Sequence, residues 1–112
     1  MGQKHWNSNE FNARLAKDSG AYTNETMQAS PGTGFRLYVT DVVFNCGATG
    51  ITASLLDGSG GTVLWKQALA ANTSCNVHFA VPLKLTAATL LALTTSAQSI
   101  GMFVGVNGFV SK

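Results

Sequence analysis

Between residues 35 and 106 the apolar side chains return every second position, and that period decides what this chain can fold into. Phe35, Leu37 and Val39 alternate with Arg36, Tyr38 and Thr40, and Ile51, Ala53 and Leu55 alternate with Thr52 and Ser54. Val77, Phe79 and Val81 alternate with Asn76, His78 and Ala80. Ile100, Met102, Val104 and Val106 alternate with Gly101, Phe103 and Gly105. A period of two is the signature of a strand with one buried face, whereas a helix returns its apolar face every 3.6 residues. Asp41 breaks the first run, and Val42 and Phe44 resume it on the other parity, so a β-bulge is expected near Thr40–Asp41. Asp57-Gly58-Ser59-Gly60-Gly61 reads as a hairpin turn into a strand over Thr62 to Leu69, with Val63 and Trp65 on one face. Ala71 to Ser74 is a loop, and Pro82 is expected to end the strand that starts at Asn76. Ala87 to Leu93 holds good helix formers, but Thr86, Thr89, Thr94 and Thr95 in and around it favour a strand. Seven or eight short strands with turns every 8 to 12 residues predict an all-β, antiparallel β-sandwich, jelly-roll-like, over residues 35–112.

Residues 1–34 read differently. They carry six charges (Lys4, Glu10, Arg14, Lys17, Asp18 and Glu25) and few apolar side chains. Trp6, Phe11 and Leu15 share one face of a helical wheel, with Asn7, Ser8 or Asn9 as N-cap and Gly20 as stop, so a short helix is expected before Gly20. The region is assigned as an extended N-terminal arm, floppy alone or ordered on a partner through Trp6, Phe11 and Tyr22. Its contour length of about 110 Å spans several neighbours in an assembly.

Charge narrows the function classes. Only 11% of the chain is charged, with seven basic and five acidic residues. That balance gives no basic patch for nucleic acid, and no run reaches the ~18 apolar residues of a membrane helix. The polar start predicts no export signal, so Cys46 and Cys75, 29 positions apart without a CxxC pattern, are expected reduced, and the sequons at Asn24 and Asn72 carry no weight. Catalysis would need Asp41 to meet Asp57 or His78 in a pocket. Asp57 sits in a turn where Asp serves the backbone, Asp41 suits a hydrogen bond at a bulge, and His78 is expected to face solvent. No histidine cluster has metal-ligand spacing, and Gly58 to Gly61 lacks the ending of a phosphate loop. The expectation is a non-enzyme with no cofactor, metal or small-molecule substrate.

The run from Ser30 to Val43 resembles the opening of small β-sandwich proteins encoded in the structural modules of tailed bacteriophages. The resemblance continues through Leu55-Leu56-Asp57-Gly58, Val63-Leu64-Trp65, Pro82-Leu83, Leu90 to Thr94 and Val104 to Phe109, about 80 residues in all. It implies a virion component. Similar proteins include capsid decoration (cement) proteins that sit as homotrimers on the exterior of a shell of major capsid protein; others belong to tails, baseplates or fibres. A tail or fibre role would use the loops at Gly47–Gly50 and Asn72–Ser74 for host-surface carbohydrate. Tyr38, Phe44, Leu64, Phe103 and Phe109, with Trp6, Phe11 and Tyr22 of the arm, are candidates for a subunit or capsid interface. The five in the sandwich serve equally as its second layer.

Overall fold

The computed structural model describes residues 10–17, 21–97, 99 and 101–112. Eight strands follow in chain order: β1 (Glu10–Lys17), β2 (Glu25–Gln28), β3 (Arg36–Asn45), β4 (Ile51–Asp57), β5 (Thr62–Leu69), β6 (Ser74–Lys84), β7 (Leu91–Thr95) and β8 (Met102–Ser111). They form two four-stranded antiparallel sheets, ordered β1-β8-β3-β6 and β2-β7-β4-β5. The first strand pairs with the last, the second with the seventh, the third with the sixth and the fourth with the fifth. Four nested pairs wrapped into two sheets are the jelly-roll arrangement. The all-β sandwich read from the periodicity is therefore the fold, and its strand order is now fixed.

The core lies between the sheets. Leu37, Val39, Val42 and Phe44 of β3, with Met102, Val104 and Val106 of β8, face Ile51, Ala53 and Leu55 of β4 and Leu91 and Leu93 of β7. All are buried. The parity change in β3 comes from the expected bulge, because the register shifts between Val39 and Asp41 against both β6 and β8. On β6 the same irregularity takes up Phe79–Pro82 between His78, opposite Asp41, and Leu83, opposite Val39. Pro82 therefore does not end the strand. It sits in a bulge on an edge strand, where no ladder N–H is needed.

Two expectations for residues 1–34 are corrected. Residues 10–17 are a strand, not a helix, because Phe11, Ala13 and Leu15 alternate inward and pair along β8. A lone helix of two or three turns is marginal, whereas a strand added to β8 satisfies its backbone and its apolar side chains together. β2 joins the second sheet against β7, and Met27 is buried there. The described part of this region thus belongs to the sandwich and does not form an arm. Trp6 and the candidate N-cap residues lie outside the described residues.

The approach of β1 depends on one glycine. Phe11 pairs with Gly108, and a Cβ there would collide with the Tyr38 carbonyl oxygen and the Phe11 ring. The segment before β2 is tied to β7 by reciprocal bonds. The Tyr22 amide donates to Thr95 Oγ1 at 3.1 Å, the Thr95 amide to the Tyr22 carbonyl at 2.9 Å, and the Asn24 amide to Thr94 Oγ1 at 3.0 Å.

Candidate functional site: the outer face of the first sheet

The ladder of the β1-β8-β3-β6 sheet sets its outward side chains in rows. One row runs Arg14, Gly105, Val43, Asn76; the next runs Asn12, Asn107, Asp41, His78; the next runs Glu10, Phe109, Tyr38, Lys84. Phe103 faces outward beside the first of these, opposite Asn45. The face thus carries a band of amides and one imidazole–carboxylate pair next to a band of aromatics with a charge at each end.

Tyr38 and Phe109 stack with ring centroids 4.9 Å apart and planes 7° from parallel. Direct cross-strand pairing brings their Cβ atoms close enough for this, and such an aromatic pair contributes roughly 0.5–1.5 kcal/mol beyond burial. Gly105 leaves a gap in the next row, where a Cβ would meet the Arg14 guanidinium at 2.9 Å and the Phe103 ring at 3.7 Å. Both side chains therefore lie over that backbone.

Asp41 and His78 meet in the middle row. Asp41 Oδ1 accepts from His78 Nδ1 at 2.8 Å, and Asp41 Oδ2 accepts from Thr40 Oγ1 at 2.9 Å. The sequence placed His78 facing solvent, and its side chain is 72% exposed against 39% for Asp41. A shallow depression of about 260 Å³ surrounds them, lined also by Val43, Asn76 and Asn107. The His78 and Thr40 hydrogen bonds stabilise the carboxylate and hold the Asp41 pKa below its ordinary value. A carboxylate with a depressed pKa contributes stability above its unfolded pKa and loses it as pH falls through the folded one. In an NMR titration the Asp41 carboxyl is expected to protonate at lower pH than a free aspartate. His78→Ala should raise that midpoint toward the ordinary range, and an unchanged midpoint would show that the imidazole does not set it.

This pair orients an imidazole, which is one part of acid–base machinery. Among the described residues no hydroxyl or thiol hydrogen-bonds to His78, so the arrangement supplies no activated nucleophile. Asp57 lies on the other sheet, where Oδ1 accepts from the Thr86 amide at 3.0 Å and Oδ2 from Thr86 Oγ1 at 2.7 Å. It ties β4 to the β6–β7 connection, a long-range structural role rather than the local one read from its turn. Burial raises the pKa of the Cys75 thiol and keeps it from being a ready thiolate. Cys46 is buried, with Sγ 3.1 Å from the Thr49 carbonyl oxygen, and neither cysteine is in a disulfide. Among the described residues no three His, Cys, Asp or Glu side chains stand together as metal ligands, and no helix is long and apolar enough to cross a membrane.

The eight candidate interface residues fall into four groups. Tyr38, Phe103 and Phe109 stand half-buried on this outer face. Phe44 and Tyr22 are 0% and 2% exposed inside the sandwich, and Phe11 packs against the core from β1. Phe44, left open between an interface and the second layer, belongs to the interior, because the bulge at Thr40 carries Val42 and Phe44 on the inner side. Trp6 is outside the described residues. Leu64 is partly buried against the core, in the strand bulged between its neighbours. The sequence offered the Asp41–His78 contact only as something catalysis would need, not as an expectation. Its signal was the bulge, which turns Asp41 to the face that alternation gives His78.

No protein-family model matches the chain, and no curated protein matches it. Among solved structures it is similar to the coat protein of tobacco streak virus, at 11% identity over 93% of this chain and 88% of that one, with a TM-score of 0.46. It is similar to a subunit of Bacillus endospore appendages, which are disulfide-linked pili, at 10% identity over 92% and 90%, with a TM-score of 0.41. It is also similar to the extra small virus of the giant freshwater prawn Macrobrachium rosenbergii, solved as a virus-like particle, at 10% identity over 90% and 80%, with a TM-score of 0.38.

Proposed function

We propose that this chain is a structural subunit of a virion, a jelly-roll brick that acts in many copies on the outside of a shell of major capsid protein and stabilises it. The observation that carries the proposal is how few charges the chain holds, 11% of its residues, and how those beyond residue 34 are used; β1 and β2 add Glu10, Arg14, Lys17 and Glu25 to the sandwich. Of the six between residues 35 and 112, Asp57 is held by Thr86 and Asp41 by His78 and Thr40. Arg36 reaches the Leu85 carbonyl oxygen at 3.5 Å, and the Lys112 ammonium lies 5.9 Å from the centre of the Phe35 ring. Among the described residues this leaves Lys66 and Lys84 of that set without a partner in the chain.

A protein that works as a free monomer normally keeps charge of both signs on its surface to deter association. A subunit covered by copies of itself and by a shell does not, because unpaired charge is costly where water is excluded. The sheets also leave β1, β6, β2 and β5 as edges, which symmetric assembly covers. The jelly roll is one of the folds used by viral capsids, and also by lectins and cupins, so the fold agrees with this role without selecting it.

The role is tested by counting copies in purified particles with isotope-labelled peptide standards. A shell subunit is present in hundreds of copies, and particles lacking it release their genome at lower temperature. A handful of copies per particle, or none, would overturn the shell role, and a handful would point to the tail or fibre reading.

A further inference from the structure

We infer that the outer face of the β1-β8-β3-β6 sheet is a self-recognition surface whose partner is the same face of a second copy, related by a twofold axis that runs parallel to the strands between β8 and β3. The row Glu10, Phe109, Tyr38, Lys84 carries the inference. Its ends have opposite charge and its middle is an aromatic stack. Rotation about that axis lays the row on its own reverse. Glu10 comes opposite Lys84 of the second copy, Phe109 opposite Tyr38 of the second copy, and each contact occurs twice, as isologous pairing requires. The neighbouring row then sets Asn12 opposite His78 of the second copy and Asn107 opposite Asp41 of the second copy, so amides meet the imidazole–carboxylate pair. The next row sets Arg14 opposite Asn76 of the second copy. No like charges are opposed in these three rows.

Within one copy Glu10 and Lys84 stand on the two edge strands, three strand spacings or about 14 Å apart, and do not neutralise each other. Glu10 is exposed, and Lys84 has no partner among the described residues. The face spans four strands and roughly eight residues, which gives about 1,000 Å² over both copies, the low end for a specific contact. It is a weak contact in dilute solution that gains strength when many copies are held on one surface. The inference concerns this face alone and stands whether or not the chain is a virion component. A twofold pair is also a different prediction from the homotrimer that the phage resemblance implies.

The test is a charge swap on the full chain, read by sedimentation velocity from micromolar to millimolar concentration, with circular dichroism to confirm the fold. Concentration-dependent dimers are expected for the native chain. Glu10→Lys and Lys84→Glu should each raise the dissociation constant about tenfold or more, because each opposes like charges twice. The double variant Glu10→Lys/Lys84→Glu should restore the dimer, a rescue that only contacts between copies can produce. Lys66→Glu changes the net charge as Lys84→Glu does, but on the other sheet, and should leave dimerisation unchanged. A monomer at every concentration, a trimer, or a dimer indifferent to both reversals would overturn the pairing. Each of these leaves the shell role to be decided by copy number in particles.

Discussion

Deleting residues 1–30 is expected to leave a chain with no cooperative unfolding transition. The deletion removes β1 and β2, one strand from each sheet. Phe11, Leu15, Tyr22 and Met27 are lost from the packing, at about 1.5–3 kcal/mol for each large side chain that is fully buried. That loss is comparable with the whole stability of a domain, about 5–15 kcal/mol. The remaining sheets would also expose the hydrogen-bonding edges of β7 and β8, which β2 and β1 cover, and unpaired edges invite aggregation. Circular dichroism through a thermal scan measures it. A sigmoidal melt with a strand spectrum would mean that these residues are an appendage and that the sandwich closes without them.

Phe44→Ala is expected to destabilise the isolated subunit by about 3–5 kcal/mol, the cost of emptying a large aromatic site in a packed core. Phe44 is fully buried between the sheets. The measurement is urea unfolding at a concentration where the chain is monomeric, so that any interface energy is absent. Phe103→Ala serves as the comparison, because Phe103 stands half-buried on the outer face, and its loss should cost about 1 kcal/mol or less. Equal costs for the two would place Phe44 outside the core.

These two residues show how far the sequence could be read. Period two located β3, β4, β6 and β8 because a sheet with one wet face writes its geometry directly into the chain; β5 was marked by its hairpin turn and β7 by its threonines. The bulge at Thr40 was legible for the same reason, since one extra residue flips the parity of everything after it. Whether Phe44, next to the strand's end, lies inside with Val42 was harder to see, because alternation alone does not say where packing stops. That follows only when β8 and β6 take their places on either side of β3. β1 misled because Phe11 and Leu15 satisfy both a strand period and a helix spacing of four. Ala13 between them settles the matter, but alanine is a weak apolar signal. Pro82 was misread because a strand-breaking rule holds for central strands, and nothing local marks β6 as an edge.

The surface was less legible than the core. His78 was correctly turned to solvent, yet its partner Asp41 lies 37 positions away and meets it only through the β3–β6 register. Tyr38 and Phe109 likewise become a stacked pair only when β8 returns beside β3. Glu10 and Lys84 acquire a shared row through four strands drawn from both ends of the chain. Long-range register of this kind has no local sequence signal, and it is what turns scattered residues into a face. The low charge was visible at once. Its meaning sharpened when four of the six charges after residue 34 were found engaged by the chain's own groups.

If this sandwich works as a repeated subunit on the surface of a shell, a cryo-electron-microscopy reconstruction of the particles that contain it shows it there. Jelly-roll density is expected at symmetry-related positions over the outer surface of the head, at an occupancy matching many copies. Density confined to the tail, or intact particles whose heads carry no such density, would contradict it.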